Sequence, residues 1–139
     1  MVVSTLSLLA GCASPGSAGA SGARPSASAS AAQPTIELLG FTKCPSTPAM
    51  RANLRVALLS IDRGWTYTYI DQDQLPETDV RRGWPAPSVL VNGRDLFAMT
   101  SPTQPTMTCR VYEGGLPSAS ELVGRIKTIA TTPPTAAAR

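Results

Sequence analysis

Histidine is absent from this chain of 139 residues, and its absence excludes several classes of functional site. A Ser-His-Asp hydrolase and a Cys-His protease both need an imidazole as the general base. The same absence excludes every metal site that has a histidine ligand. Any catalytic chemistry of this chain must therefore use other side chains.

Charged residues are also scarce, at 15% of the chain, and the formal net charge is only +3. The longest basic run is the pair Arg81-Arg82, so the sequence lacks the basic stripe of a nucleic-acid-binding protein. We therefore expect no nucleic-acid partner and only a mild attraction to anionic lipid. No segment approaches the roughly 18 consecutive apolar residues of a membrane-spanning helix, and no internal repeat is visible.

Cysteine occurs three times, and the first cysteine closes the apolar run Leu8-Leu9-Ala10-Gly11-Cys12. This run resembles the lipobox of bacterial lipoproteins. The resemblance implies that residues 1–11 are a signal peptide, that Cys12 carries lipid, and that the protein is anchored on the extracytoplasmic face of the cell membrane. No Lys or Arg precedes Arg24, so we expect the true start, with the positive charge of a signal peptide, to lie upstream. The alternative is an apolar N-terminus whose cysteine is not acylated.

Two segments of biased composition flank the centre of the chain. Residues 13–34 are almost wholly Ala, Ser, Gly and Pro, a composition that buries too little apolar surface to offset the entropy cost of ordering. We interpret residues 12–34 as the lipidated cysteine and a flexible tether that spans on the order of 25 Å. Residues 132–139 are interpreted as a disordered tail, which leaves one small folded domain at residues 35–131.

Apolar periodicity predicts a strand, a helix and a second strand in the first half of this domain. Residues 35–41 form a short apolar run that is typical of a buried strand. From Pro48 onward, apolar residues recur at helical spacing, and Gly64 marks the predicted end of that helix. Residues 65–71 alternate aromatic or aliphatic residues with threonine, as a second strand does.

The second half of the domain carries a clear turn signal and a clear cap signal. Residues 72–86 are polar and contain at most one short helical turn. Asn92-Gly93 lies between two strand-like runs and predicts a tight β-hairpin over residues 88–97. Ser118 precedes Glu121 by three residues, which is the spacing of a capping box, and it predicts the start of a last amphipathic helix.

This order of elements predicts an α/β domain with a mixed sheet of about four strands flanked by helices. The strand-helix-strand unit favours parallel pairing, and the hairpin adds an antiparallel edge. The domain resembles the thioredoxin fold, and it is similar to small thioredoxin-like proteins with a Cys-Pro-x-Thr motif. Four segments carry the resemblance in the right order: Cys44-Pro45-Ser46-Thr47, Ala86-Pro87-Ser88-Val89, Asn92-Gly93-Arg94-Asp95 and Cys109-Arg110-Val111-Tyr112.

The resemblance implies a redox site around Cys44. A thiol at a helix N-terminus meets unpaired backbone N–H groups that stabilise the thiolate, and the neighbouring Lys43 adds to this effect. Thr47 replaces the second cysteine of the dithiol motif, and we expect its hydroxyl to donate a hydrogen bond to the Cys44 sulfur. The resemblance also implies a cis peptide bond at Pro87, beside an open backbone edge that binds an extended peptide or a protein thiol. The alternative is an ordinary turn proline.

Acylation of Cys12 would leave Cys44 and Cys109 as an even pair in an oxidising compartment, and a disulfide between them is the natural inference. Cys109 is then either the resolving partner of an attacking Cys44 or one end of a permanent structural bridge. The first alternative is a thiol-disulfide oxidoreductase, and the second is a non-catalytic binding or assembly protein. A third alternative is a reduced pair that binds a soft metal such as Cu(I), with Met107 nearby. We expect no cofactor and no resident metal.

Three further features have alternative interpretations. Trp84 is either a wall of the groove over Cys44 or a packed anchor of its loop. The acidic residues between positions 71 and 79 lack the pattern of a calcium-binding loop, so we interpret them as a solvated turn. Arg110 is expected to pair with one of these acidic residues or with carbonyl groups at a helix end.

Overall fold

The computed structural model describes residues 33–131. The predicted signal peptide, the lipid attachment at Cys12, nearly all of the tether and the tail at residues 132–139 lie outside the described residues. Neither helix of the described part has the length and the apolar character of a membrane span.

The described residues form an α/β domain around one sheet of four strands. Its strands and helices are β1 (Ile36–Gly40), α1 (Thr47–Ile61), β2 (Thr68–Asp71), β3 (Ser88–Val91), β4 (Arg94–Asp95) and α2 (Ala119–Thr131). Two short 3₁₀ turns, Gln72–Gln74 and Val80–Gly83, lie between β2 and β3. The strand order is β2-β1-β3-β4, with β1 parallel to β2 and antiparallel to β3. The predicted α/β class and mixed sheet are confirmed.

Both helices pack on the same face of the sheet, because their apolar stripes and alternate residues of β1 and β3 share one core. The buried members of this core are Ile36, Leu38, Met50, Leu54, Ala57, Leu58, Ile61, Val89, Val91, Leu96, Leu122 and Ile126. The opposite face carries a smaller cluster of Leu39, Leu90 and Trp84. Trp84 follows the second 3₁₀ turn, so an irregular segment covers the face that lacks a helix.

Two strands are shorter than the sequence pattern predicts. The parallel ladder of β2 begins only at Thr68, which lies opposite Glu37, while Trp65 and Tyr67 pack against the larger core. β4 ends at Asp95, because its carboxylate accepts hydrogen bonds from the backbone N–H groups of the residues at 97 and 99 and turns the chain away from the sheet. The alternation of residue types within each segment does not show where β2 begins or where β4 ends.

The predicted hairpin turn and the predicted helix cap are confirmed. Asn92 and Gly93 both have positive φ, at 52° and 75°, as a tight two-residue turn between twisted strands requires. At the start of α2, the Glu121 N–H donates to the Ser118 hydroxyl at 3.3 Å. The Glu121 carboxylate pairs with Arg125 at 3.2 Å, one turn further along the helix.

Candidate thiol site

Cys44 and Cys109 lie side by side, although 65 residues separate them in the sequence. Their side chains approach to 3.6 Å, and both are free thiols. Cys44 lies in the turn between β1 and α1, where its N–H donates to the Phe41 carbonyl at 3.1 Å. Cys109 lies in the long loop between β4 and α2. The fold therefore brings together the two cysteines that the sequence singled out.

A short segment that we call the strap, residues 108–112, places Cys109 beside Cys44. The Ala86 N–H donates to the Thr108 carbonyl, and the Arg110 N–H donates to the Ala86 carbonyl, both at 2.7 Å. These bonds form a parallel bridge between Ala86 and Cys109. The backbone edge beside Pro87 is therefore occupied by the chain itself, and the expectation of an open edge is wrong.

The peptide bond between Ala86 and Pro87 is cis, which confirms the sequence expectation. Pro87 directly precedes β3 and is fully buried. The Ala86 carbonyl accepts a hydrogen bond from the Cys44 thiol at 3.1 Å, in addition to the bond from the strap. One carbonyl group thus links the turn that carries Cys44 to the segment that carries Cys109.

Arg110 anchors the strap through a buried, bidentate ion pair with Asp95. Its Nη1 lies 2.6 Å from Asp95 Oδ1 and its Nη2 lies 3.0 Å from Oδ2, while Nη1 also donates to the Ser88 hydroxyl at 3.0 Å. The side chains of Arg110 and Asp95 are only 7% and 0% exposed. The expectation that Arg110 pairs with an acidic residue of the 71–79 segment or with helix carbonyls is wrong, because the buried Asp95 needs a cationic partner.

Tyr112 fixes the far end of the strap. Its hydroxyl donates to the Pro87 carbonyl at 2.6 Å, and the Arg110 guanidinium lies 4.6 Å from the centre of its ring. The Phe97 ring meets Tyr112 edge-on at 5.0 Å. Burial raises the pKa of Tyr112 well above its ordinary value, so its hydroxyl remains a donor throughout the physiological range.

The two thiols differ in exposure and in hydrogen bonding. Cys44 is only 2% exposed, whereas Cys109 is exposed. The interaction with the Cys44 thiol is the main cause that raises the pKa of Cys109 above its ordinary value. Cys109 therefore keeps its proton at neutral pH, and it can donate that proton to the Cys44 sulfur.

Thr47 does not make the predicted hydrogen bond to Cys44. Its buried hydroxyl has no hydrogen-bond partner among the described residues, although its backbone N–H donates to the Cys44 carbonyl at 3.3 Å. The Cys44 thiol is turned toward Ala86, and the Thr47 side chain packs against Gly40 of β1. A Cβ atom at Gly40 would lie 2.5 Å from Thr47 Cγ2, so only glycine leaves room for this packing.

Cys44 also lines an open cleft of about 600 Å³ between α1 and β2, and no strap residue lines this cleft. The other lining residues that matter chemically are Thr47, Arg51, Arg55, Tyr67 and Tyr69. The Arg51 guanidinium lies 4.7 Å from the centre of the Tyr69 ring. Burial, with the help of the nearby Asp71, raises the pKa of Tyr69 despite the opposing effect of Arg51.

Trp84 is not a wall of this cleft. It is 4% exposed and packs with Leu39 and Leu90 on the other face of the sheet. Of the two interpretations of Trp84, the packed loop anchor is therefore confirmed. The sequence did not predict this cleft, because Arg51 and Arg55 have the spacing of polar residues on the exposed face of an amphipathic helix.

The acidic residues of the 71–79 segment act as local caps. Asp71 and Asp79 each accept a backbone N–H at the start of a 3₁₀ turn. Asp73 accepts the Thr42 N–H at 2.9 Å, and this bond lowers the pKa of Asp73 below its ordinary value. Within residues 33–131, no group of three or more His, Cys, Asp or Glu residues is placed to hold a metal ion.

Comparison with known proteins gives no match for this chain, whether with a family model, a curated protein or a solved structure. Function is therefore inferred from the two thiols and their surroundings.

Proposed function

We propose that this protein is a membrane-anchored, extracytoplasmic thiol-disulfide exchange protein with a thioredoxin-like domain. The observation that carries the proposal is the contact of Cys44 and Cys109 at 3.6 Å, from two separately anchored segments. A disulfide has an S–S distance of about 2.05 Å, so side chains in this contact need only a small further approach to form a bond. Lipid at Cys12 would supply the membrane anchor.

The strand order supports the thioredoxin-like assignment. A strand-helix-strand unit with parallel pairing is followed by an antiparallel hairpin and a last helix, in the order that the resemblance implies. The Cys44 turn lies directly after β1, and the cis-proline lies directly before the neighbouring β3. These two features meet at the Ala86 carbonyl, which accepts the Cys44 thiol hydrogen bond.

In the direction that oxidises the protein, the Cys44 thiolate attacks one sulfur of a substrate disulfide and releases one substrate thiolate. Cys109 then gives up its proton and attacks the Cys44 sulfur of the mixed disulfide, which releases the second substrate thiolate. The protein dithiol is oxidised by two electrons, and the substrate disulfide is reduced to two thiols. The raised pKa of Cys109 suits this order, because a protonated Cys109 stabilises a neighbouring thiolate before it resolves the intermediate.

The strap constrains how a protein partner can reach the site. An extended peptide can pair with Ala86 only after Thr108 and Arg110 leave its backbone groups. A protein thiol or disulfide instead meets the exposed Cys109 without any displacement of the strap. Because Cys44 is the attacking thiol, a partner protein is expected to displace the strap from the Pro87 groove, and contact with Cys109 alone does not start the exchange.

The burial of Cys44 favours a second candidate function, in which the disulfide is a permanent bridge and the protein is a binding or assembly lipoprotein. Cys44 is 2% exposed, and the ion pair of Arg110 holds the strap independently of any disulfide. Small extracytoplasmic domains often use such a bridge for stability. The reduction potential of the pair separates the two functions.

The test uses the full chain with Cys12→Ala, so that Cys44 and Cys109 are the only thiols. We expect the pair to have a potential above about -300 mV, the value below which structural bridges usually lie. We also expect insulin-reduction or disulfide-transfer activity that Cys44→Ser abolishes. A lower potential, combined with no activity in any variant, would contradict the exchange function and favour the structural bridge.

The anchor is tested separately by fractionation and mass spectrometry. The native chain is expected in the membrane fraction with lipid on Cys12, and Cys12→Ala is expected to lack lipid, because no other thiol occurs in the first 43 residues. Recovery of the native chain as a soluble protein that retains residues 1–11 would contradict the proposed localisation.

A further inference from the structure

The cleft beside Cys44 carries two cations that have no anionic partner within residues 33–131. Arg51 and Arg55 lie one turn apart on α1, both are exposed, and neither forms a salt bridge with a described carboxylate. Like charges at this spacing repel each other and destabilise a helix slightly. An anion that bound between them would remove this repulsion.

The same cleft contains a buried polar group without a partner. Thr47 is 6% exposed and lines the cleft, yet its hydroxyl makes no hydrogen bond with any described residue. A buried hydroxyl without a partner destabilises a protein, because it loses its hydrogen bonds to water and gains none in return. Rotation of this side chain toward a ligand oxygen would satisfy the hydroxyl, so Thr47 indicates a polar ligand independently of the two arginines.

The charged lining of the cleft is cationic, although two acidic groups lie close enough to act on it. No acidic side chain of the described residues lines it. Together with burial, Asp71 and Asp73 both raise the pKa of Tyr69, and Asp71 does so more strongly than Arg51 lowers it. Asp71 also caps a 3₁₀ turn, and Asp73 accepts the Thr42 N–H. The volume of about 600 Å³ lies within the range of sites that bind small molecules.

We infer that this cleft binds an anionic, low-molecular-weight disulfide or thiol, whose carboxylates lie against Arg51 and Arg55 and whose sulfur lies beside Cys44. The inference rests on the proposed exchange function and names its substrate class. Neither Ala86 nor any strap residue lines this cleft, so a ligand there can reach Cys44 while the backbone bonds between Ala86 and the strap stay in place.

The reaction of this ligand balances without any further reagent. The Cys44 thiolate attacks the ligand disulfide, a mixed disulfide forms at Cys44, and one ligand thiolate leaves. Cys109 loses its proton and attacks Cys44, the protein disulfide forms, and the second ligand thiolate leaves. The ligand disulfide is the oxidant, and two ligand thiols are the products.

The experiment compares three small disulfides of similar length and different charge on the full chain with Cys12→Ala. These are 3,3′-dithiodipropionate, which is anionic, bis(2-hydroxyethyl) disulfide, which is neutral, and cystamine, which is cationic. Oxidation of Cys44 and Cys109 is followed by acid quench, alkylation and mass spectrometry. Each rate is divided by the rate of the same disulfide with free 1-thioglycerol, a neutral thiol that differs from all three products, which removes intrinsic differences in reactivity.

We expect the anionic disulfide to react about fivefold faster than the neutral one, since each exposed ion pair contributes 0.2–1 kcal/mol. The double variant Arg51→Gln/Arg55→Gln should lose this preference. The matched control Arg94→Gln/Lys127→Gln removes the same charge from exposed positions outside the cleft and should retain it. Suberate, an unreactive dicarboxylate of similar length, should slow the anionic reaction and shift the backbone amide resonance of Thr47.

The outcomes separate the ligand from the exchange function. Equal normalised rates for all three disulfides, without protection by suberate, would overturn the anionic cleft but leave the exchange function intact. No oxidation of the pair by any of the three disulfides would overturn the exchange function. An equal loss of preference in both double variants would overturn the assignment to Arg51 and Arg55, since general attraction to the chain would then explain the rates.

Discussion

The two sides of Cys44 are built in opposite ways. On the strap side, polar groups are paired within the chain, including the backbone of Ala86, the Arg110 guanidinium and the Tyr112 hydroxyl. On the cleft side, the Thr47 hydroxyl has no described partner, and Arg51 makes only a ring contact with Tyr69. The hydrogen bonds on the strap side hold the Cys109 thiol in place, whereas polar groups on the cleft side can still bind a ligand.

Oxidation of Cys44 and Cys109 to a disulfide should raise the free energy of unfolding by more than any single substitution proposed below lowers it. A disulfide between Cys44 and Cys109 closes a 65-residue span, and the chain-entropy model gives up to about 4 kcal/mol for such a loop. Urea unfolding of the oxidised and reduced full chain, with Cys12→Ala, measures the difference. Cys109→Ser is the control and should be insensitive to the oxidant. Equal stability of the two redox forms would contradict this prediction.

Loss of the buried ion pair should be the next largest effect. Arg110→Met leaves the Asp95 carboxylate buried without a cation, and we expect a loss of about 3 kcal/mol in the free energy of unfolding. The matched control Arg81→Met breaks a pair in which Arg81 is 37% exposed and should cost less than about 1 kcal/mol. If urea unfolding shows similar losses of stability in the two variants, the buried Arg110–Asp95 pair contributes no more than an exposed ion pair.

Removal of the unpaired hydroxyl on the cleft side should stabilise the protein. Thr47→Val keeps the shape of the side chain that packs on Gly40, and it removes a buried group without a described partner. We expect a gain of about 1 kcal/mol, measured by thermal and urea unfolding. Thr66→Val, at an exposed position, is the control and should change stability by less than about 0.5 kcal/mol. A loss of stability in Thr47→Val would show that the hydroxyl is satisfied in solution.

The smallest expected effect concerns the reactivity of Cys109. Because the pKa of Cys109 is raised above its ordinary value, mainly by the interaction with the Cys44 thiol, its thiolate fraction at pH 8 is reduced and alkylation should be slow. Cys44→Ala removes this interaction, so alkylation of Cys109 should become faster and its pH profile should move toward lower pH. Thr47→Val is the matched control and should leave the profile unchanged. Identical profiles with and without Cys44 would contradict the thiol contact.

Local sequence patterns were sufficient for most of the secondary structure. The apolar run of β1, the stripe of α1 and the Asn92-Gly93 turn each depend on residues close in sequence, and the structure confirms all three. The ends of β2 and β4 depend on partners across the sheet, so their lengths were not predicted. The cis peptide at Pro87 was expected from a resemblance, since no local periodicity indicates it.

The sequence by itself determined the chemical inventory of this protein: no histidine, an α/β order of elements, and the cysteines at 44 and 109. Only the tertiary structure decided which groups meet. It paired Arg110 with Asp95, turned the Cys44 thiol toward Ala86, left the Thr47 hydroxyl without a described partner and filled the edge beside Pro87 with the strap. These contacts join segments far apart in sequence, and they follow from the burial of whole elements against one another, which no local spacing encodes.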